Sequence, residues 1–197
     1  MDFLDIVRKR RMVRRFSGEP VAPDALERII DAGRRAPSAG YSQGVEFVLI
    51  TGEAARQAFA QVMTTNEDAA QQLARVPAHI VICASAEIYK SRYREPDKQY
   101  VRDRTGEDEL WQVPFWYVDA GASMMLLLLA VVNEGLAASF VGVWNQDGVR
   151  TLLGIPEEYV PVGVVSAGHR APDEAPQGSA TNRPRRPLQD VLHRDRW

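Results

Sequence analysis

Apolar residues recur along this chain with two distinct periods. From Pro23, residues Leu26, Ile29, Ile30 and Gly33 fall at i, i+3, i+4 and i+7, one face of a helix whose first turn suits the proline. Ahead of it, Phe3, Ile6, Val7 and Arg10 share one side of a helix that Asp2 can cap and that gives out near Met12. Four largely apolar runs, 45–51, 78–84, 136–143 and 160–167, predict buried strands. Between them lie a helix from about Glu53 with a break near Asn66, and a short one over 149–153. The longest uncharged stretch, Ala120 to Asn133, lies between Asp119 and Glu134. It is shorter than the ~20 residues a membrane span needs. It predicts a helix over about 115–134, apolar all round and therefore covered on every side, by the domain itself or by a second subunit.

Two segments break the rhythm. Residues 87–112 mix charge with Tyr89, Tyr93, Tyr100 and Trp111 at no steady period, and read as a mobile excursion or lid. The tail over 170–197 carries Pro172, Pro176, Pro184 and Pro187 and reads as an extended arm. No repeat and no linker divides residues 1–197, so a single mixed domain of strands and helices is expected.

Composition narrows the chemistry. The one cysteine excludes an intrachain disulfide framework and fits a reducing, cytoplasmic setting. The N-terminal charges follow a short apolar stretch, the reverse of a secretory signal. His79, His169 and His193 share no ligand spacing, so no metal site is expected; His79 and Cys83 fall in a buried run and read as core.

The net charge of −2 hides an asymmetry: residues 1–35 carry +3, residues 170–197 +2, and the middle −7. Six bases, Arg8, Lys9, Arg10, Arg11, Arg14 and Arg15, fall within eight positions, and Arg183, Arg185 and Arg186 form a second knot. A shared anion would let the two knots meet, since arginine grips phosphate bidentately. Two solvated faces, or an arm for nucleic acid, are the alternatives; the acidic middle counts against nucleic acid. No Gly-x-Gly-x-x-Gly and no Walker loop is present, so a phosphate must be held by side chains and loop amides.

Arg10-Arg-Met-Val-Arg-Arg-Phe16 followed by Pro20-Val21 resembles the opening signature of the nitroreductase-like flavoenzymes. Arg35-Ala-Pro-Ser-Ala-Gly-Tyr-Ser-Gln43 resembles their second flavin loop. Asp119 at the apolar helix, Gly135-Leu136, Val141-Gly142-Val143, Leu153-Gly-Ile-Pro156 and Arg183-Pro-Arg185 follow in the family's order. The resemblance implies an α+β fold with a central mixed sheet flanked by helices. It also implies a homodimer with exchanged terminal segments and one FMN per subunit at the interface.

By position, the resemblance puts Arg10 and Arg11 on the FMN phosphate and ribityl chain and Arg14 at the pyrimidine edge. Met12 lies in the same cofactor-binding stretch, where the family usually has a hydroxyl residue. Arg183 and Arg185 would complete the phosphate site. Pro37, Ser38 and Ala39 would line the ring from the other subunit, with Tyr41 and Gln43 nearby. The amides of Val141 and Gly142 would face the ring's N5 and O4. Tyr41, Trp111 and Trp144 are the candidates for a substrate pocket. Tyr41 and Gly44 replace the family's common Asn and Pro, and His169-Arg170 its aromatic-Pro pair.

No side-chain acid or base is required, because the cofactor carries the hydride. The implied activity is an FMN-dependent NAD(P)H oxidoreductase reducing nitroaromatic, quinone or related acceptors by a ping-pong mechanism, without nucleic acid or membrane. A flavin-binding protein without turnover is the alternative, or a nucleic-acid binder using the Arg8–Arg15 arm.

Overall fold

The computed structural model describes residues 2–176 and 181–197. Helix α1 (Phe3–Lys9) starts where the Asp2 carboxylate accepts the Leu4 N–H and ends as Arg10 turns extended. The basic stretch that follows is pinned on two sides. Met12 bridges Ala138 in parallel, with Val13 N–H donating to the Ala138 carbonyl at 2.9 Å. Phe16 bridges Arg170, Ser17 N–H donates to His169 O, and Ala171 N–H donates to Arg15 O.

Helix α2 (Pro23–Gly33) turns its predicted face inward, burying Leu26, Ile29 and Gly33. Strand β1 (Val45–Ile50) leads to α3 (Glu53–Met63) and α4 (Glu67–Arg75). The break between the two helices lies where expected, with Asn66 capping α4 through the Ala69 N–H at 2.8 Å. Then come β2 (Ala78–Ala84), α5 (Ala86–Tyr93), α6 (Gln99–Arg102), α7 (Glu107–Leu110) and α8 (Phe115–Asn133). Strand β3 (Ala137–Gly142), α9 (Gln146–Leu153) and β4 (Val160–Gly168) complete the fold.

The four strands lie in the order β1-β2-β4-β3, and every neighbouring pair is antiparallel. The expected mixed sheet is corrected here. The helical pair α3–α4 runs out and back, so β2 starts beside the end of β1, with Ile50 facing His79. The connection through α9 returns in the same way, setting Gly142 opposite Gly163. Only the Met12–Ala138 bridge is parallel among the described residues.

Strand β2 explains why the core has two halves. Its even residues Ile80 and Ile82 face α2 and α8, while Val81 and Cys83 face the layer of α3 and α9. Side chains alternate across a strand, so a strand buried on both faces is apolar throughout. His79 is fully buried there; Leu73 O can only accept, so Nε2 carries the hydrogen (3.1 Å) and Nδ1 accepts from the Ser166 hydroxyl (2.8 Å). Burial pulls its pKa down to about 4 and pushes the Cys83 thiol up to about 11.

Helix α8 has the length and composition of a membrane span, but it packs on α2 and the sheet. It buries Ala120, Ser123, Leu127, Leu128 and Val131 on one face only. Its other face leaves Val118 and Met125 exposed, so the expectation of cover on every side fails within a single chain. The excursion is helical rather than irregular, and it opens on the fully buried Tyr89 of α5. Residues 181–197 are exposed throughout and include a short helical turn at Leu188–Asp190.

Candidate functional site

The pinned N-terminal stretch sorts its arginines. Arg8 pairs with Asp5, Arg15 with Asp173 at 2.8 Å, and Arg11 with the carboxylate of Glu174. Glu174 is only 3% exposed, and it also accepts from Arg170 Nε at 3.1 Å and from the Arg14 N–H at 3.4 Å. Among the described residues the guanidinium groups of Arg10 and Arg14 have no such partner. Two of the four expected cofactor positions of this stretch therefore carry cations without a partner among the described residues. Arg11 is committed to an internal carboxylate, and Met12 offers no polar group.

Arg14 lines a cleft of about 320 Å³ together with Ser139, Val141, Gly142 and Trp144, floored by Leu73 and Val76. Trp144 stands 93% exposed at this cleft. The register of β3 decides which amide serves it. Val143 N–H donates to Val162 O, so Val143 points into the ladder with β4, and Val141, two residues back, points the same way. Gly142 has the opposite parity, shared with Ala138, whose carbonyl already turns outward to accept from Val13. The Gly142 N–H therefore faces the free edge of the sheet, and no atom lies within 4 Å of the place a Cβ would take. The Val141 amide turns into the sheet instead.

The second loop is built around a buried carboxylate. Asp119, 7% exposed on α8, accepts from the Ala39 N–H at 2.9 Å and from the Tyr89 hydroxyl at 2.6 Å. Ser38 accepts the Gln43 N–H on its hydroxyl at 3.0 Å and the Tyr41 N–H on its carbonyl at 2.8 Å. Within this clasp Tyr41 and Gln43 hold φ of 56° and 54°, a left-handed backbone that non-glycine residues seldom adopt. Tyr41 is left 75% exposed, and Pro37 and Gln43 are exposed too. Neither Asp119 as the clasp nor Glu174 as the partner of Arg11 could be assigned from sequence spacing. The signal available was an acid inside apolar surroundings.

One chain does not bring all the predicted residues together. The second loop enters β1 at one sheet edge, while Gly142 leaves β3 at the other, three strand spacings or about 14 Å away. Arg183 and Arg185 lie on the exposed arm and line neither the cleft of Arg14 nor the groove of Arg11. Trp111 belongs to a separate aromatic cluster with Tyr93 and Trp116. Of the three substrate-pocket candidates, only Trp144 shares the cleft of Arg14.

Known proteins are similar to this chain over nearly its whole length. An Archaeoglobus fulgidus protein with the provisional name NADH dehydrogenase/NAD(P)H nitroreductase is 27% identical over 98% of each chain. The NADPH-flavin oxidoreductase of Vibrio harveyi is 26% identical over 98% of this chain and 74% of its own. A solved structure from Parabacteroides distasonis, of the same provisional name as the archaeal protein, superposes with a TM-score of 0.73 at 23% identity. It covers 99% of this chain and 98% of its own. The profile of the Nitroreductase family matches residues 7–169, and the chain is thus a member of the nitroreductase family of oxidoreductases.

Proposed function

We propose that this chain is an FMN-dependent NAD(P)H oxidoreductase that reduces nitroaromatic, quinone or related acceptors by a ping-pong mechanism. The observation that carries the reading is the shared cleft of Arg14 and Gly142, a cation without a partner among the described residues and an outward N–H, with Trp144 at the same cleft. These residues fit a flavin ring: the cation suits the pyrimidine edge, where reduction leaves negative charge, and the N–H suits the acceptor atoms of the central ring. Bound FMN would supply the two-electron hydride chemistry. Arg10 would hold the phosphate with Arg183 and Arg185, Arg14 would stabilise the reduced charge, and Trp144 would cover the site against water. For a quinone the overall balance is NAD(P)H, one proton and quinone to NAD(P)⁺ and hydroquinone.

The reading includes a homodimer. Val118, Ala122, Met125 and Leu129 form a stripe along α8 at i, i+4, i+7 and i+11, and α1 leaves Phe3 and Leu4 exposed. A second copy would cover this surface and would bring Pro37, Ser38 and Ala39 to the cleft of the first. Residues 181–197 are exposed throughout, which favours exchange of the arm.

Three measurements test the reading together. The purified protein should carry or take up a yellow chromophore that NAD(P)H bleaches anaerobically. Initial rates at several acceptor concentrations should give parallel double-reciprocal lines. Sedimentation should give a dimer. A colourless protein that takes up no flavin, or a flavin-loaded species of 22.0 kDa, would overturn it.

A further inference from the structure

A second pocket lies inside the excursion. It encloses about 390 Å³ between α5, α6 and α7, and Tyr93, Trp111, Lys90, Arg94 and Arg102 line it. Its aromatic wall is ordered: Tyr93 and Trp111 meet edge to face at 5.2 Å, and Trp111 rests on Trp116 at 5.6 Å. Its cations are uneven. Arg94 is paired with Glu87 at 2.9 Å, while Lys90 and Arg102 have no hydrogen-bond or ion-pair partner among the described residues. None of the described lining residues is acidic. Lys90 is half-buried, and Lys98 Nζ lies over the Tyr93 ring at 5.7 Å from its centre, adding a further cation beside the aromatic wall.

This pocket has one wall in common with the second flavin loop. A Cβ built on Gly40 would come within 2.5 Å of Tyr93, so the Tyr93 ring rests directly on the loop backbone. A planar ligand on the outer side of Tyr93 would therefore be separated by that single ring from Gly40, the neighbour of Ala39, which is expected to line the partner's flavin.

We propose that this pocket selects electron acceptors that are aromatic carboxylates, holding the ring against Tyr93 and Trp111 and the carboxylate on Lys90 and Arg102. The proposal rests on the reductase reading above and adds the class of acceptor. Aromatic walls recognise the flat ring, and two cations without a partner among the described residues supply the charge-assisted bonds that a neutral analogue cannot make.

The test uses the full-length protein with its flavin. Binding of 4-nitrobenzoate and of nitrobenzene is read by quenching of tryptophan fluorescence, and their turnover by kcat/KM. The wild type should favour 4-nitrobenzoate by about tenfold or more, the scale of one charge-assisted bond. Lys90→Met with Arg102→Gln should remove most of that preference in both readouts and leave nitrobenzene unchanged. Each single variant, which disturbs less of the excursion, should lose part of it.

Equal binding of the two probes by the wild type, or a preference that survives the double change, overturns the proposal. So does a double variant that weakens NADPH relative to NADH while keeping its preference for 4-nitrobenzoate, because the pocket would then serve the donor's phosphate. A protein that accepts no electrons from NAD(P)H sinks the reductase reading instead; the fluorescence preference still reports on the pocket, so the two failures are separable.

Discussion

The carboxylate of Glu174 holds the guanidinium of Arg11 across 163 positions of sequence, and its other partners are Arg170 and the Arg14 N–H. This pairing ties the first basic motif to the root of the C-terminal arm. Breaking a buried pair by removing one partner is costly because the other charge is stranded. Glu174→Ala should lower unfolding free energy by about 1.5–3 kcal/mol in a urea titration, the value of its charge-assisted bonds, because the Arg11 and Arg170 side chains it releases are partly exposed. Arg11→Ala should cost less, since Arg170 remains on the carboxylate.

The same pairing separates two neighbouring arginines. Among the described residues Arg10 has no side-chain partner and Arg11 is occupied, so Arg10→Ala should weaken FMN by roughly ten- to a hundredfold, the value of one charge-assisted bond. Arg185→Ala should do the same, and the two changes should combine non-additively in a double-mutant cycle because they act on one dianion. Riboflavin, which lacks the phosphate, should respond to neither change. Isothermal titration of the flavin-stripped protein with both ligands checks this, and an equal loss for riboflavin would move the phosphate elsewhere.

Asp119 should be the fixed point of the second loop. Tyr89→Phe removes a hydrogen bond to a charged acceptor, worth about 1.5–3 kcal/mol, and leaves the Ala39 N–H as the recorded donor to the carboxylate. Beyond that loss of stability, the loop around Tyr41 and Gln43 should relax from its left-handed backbone. Faster amide exchange over residues 38–43, with the core unchanged, is the expected signature.

His79 makes the fold sensitive to acid. Its folded pKa of about 4 lies below the ordinary 6.5, so below pH 6.5 the unfolded chain takes up a proton that the folded chain refuses. Stability should fall as the pH drops from about 6.5 to about 4, by about 3 kcal/mol in total, and this contribution should level off below that. His79→Gln should flatten this part of the pH–stability curve.

Gly142→Val should leave the fold intact, because nothing lies near its Cβ position, yet it should impair flavin uptake by filling the cleft. Gly163→Val is the contrasting change. There a Cβ would meet the Phe140 ring at 2.4 Å, so the melting temperature itself should drop.

Much of this architecture was legible along the chain. Residues 78–84 are apolar at both parities apart from His79, which marks a strand buried on two faces, and all seven are buried. The helix break at Asn66 was legible because a cap residue announces it. Strand direction was not, because it depends on the end of the sheet to which each helical connection returns. The clasp of Asp119 was hidden for a similar reason: its partners lie 30 and 80 positions away, and only the packing of α8 joins them. Arg10 and Arg11 are adjacent and chemically identical, and only the folded position of Glu174 tells them apart.

The parity of β3 sets a rule of length. Ala138 and Gly142 face the same edge because they lie four positions apart, an even number, along an alternating backbone. Removing one residue between them would keep every atom of both groups and still turn one of the two inward. With Ala138 fixed by Val13, the Gly142 N–H would enter the ladder, and Val143 would present its backbone groups at the cleft together with a branched side chain. The edge can therefore gain or lose residues only in pairs. A deletion scan through 139–141, read by flavin binding, should alternate between failure and partial recovery.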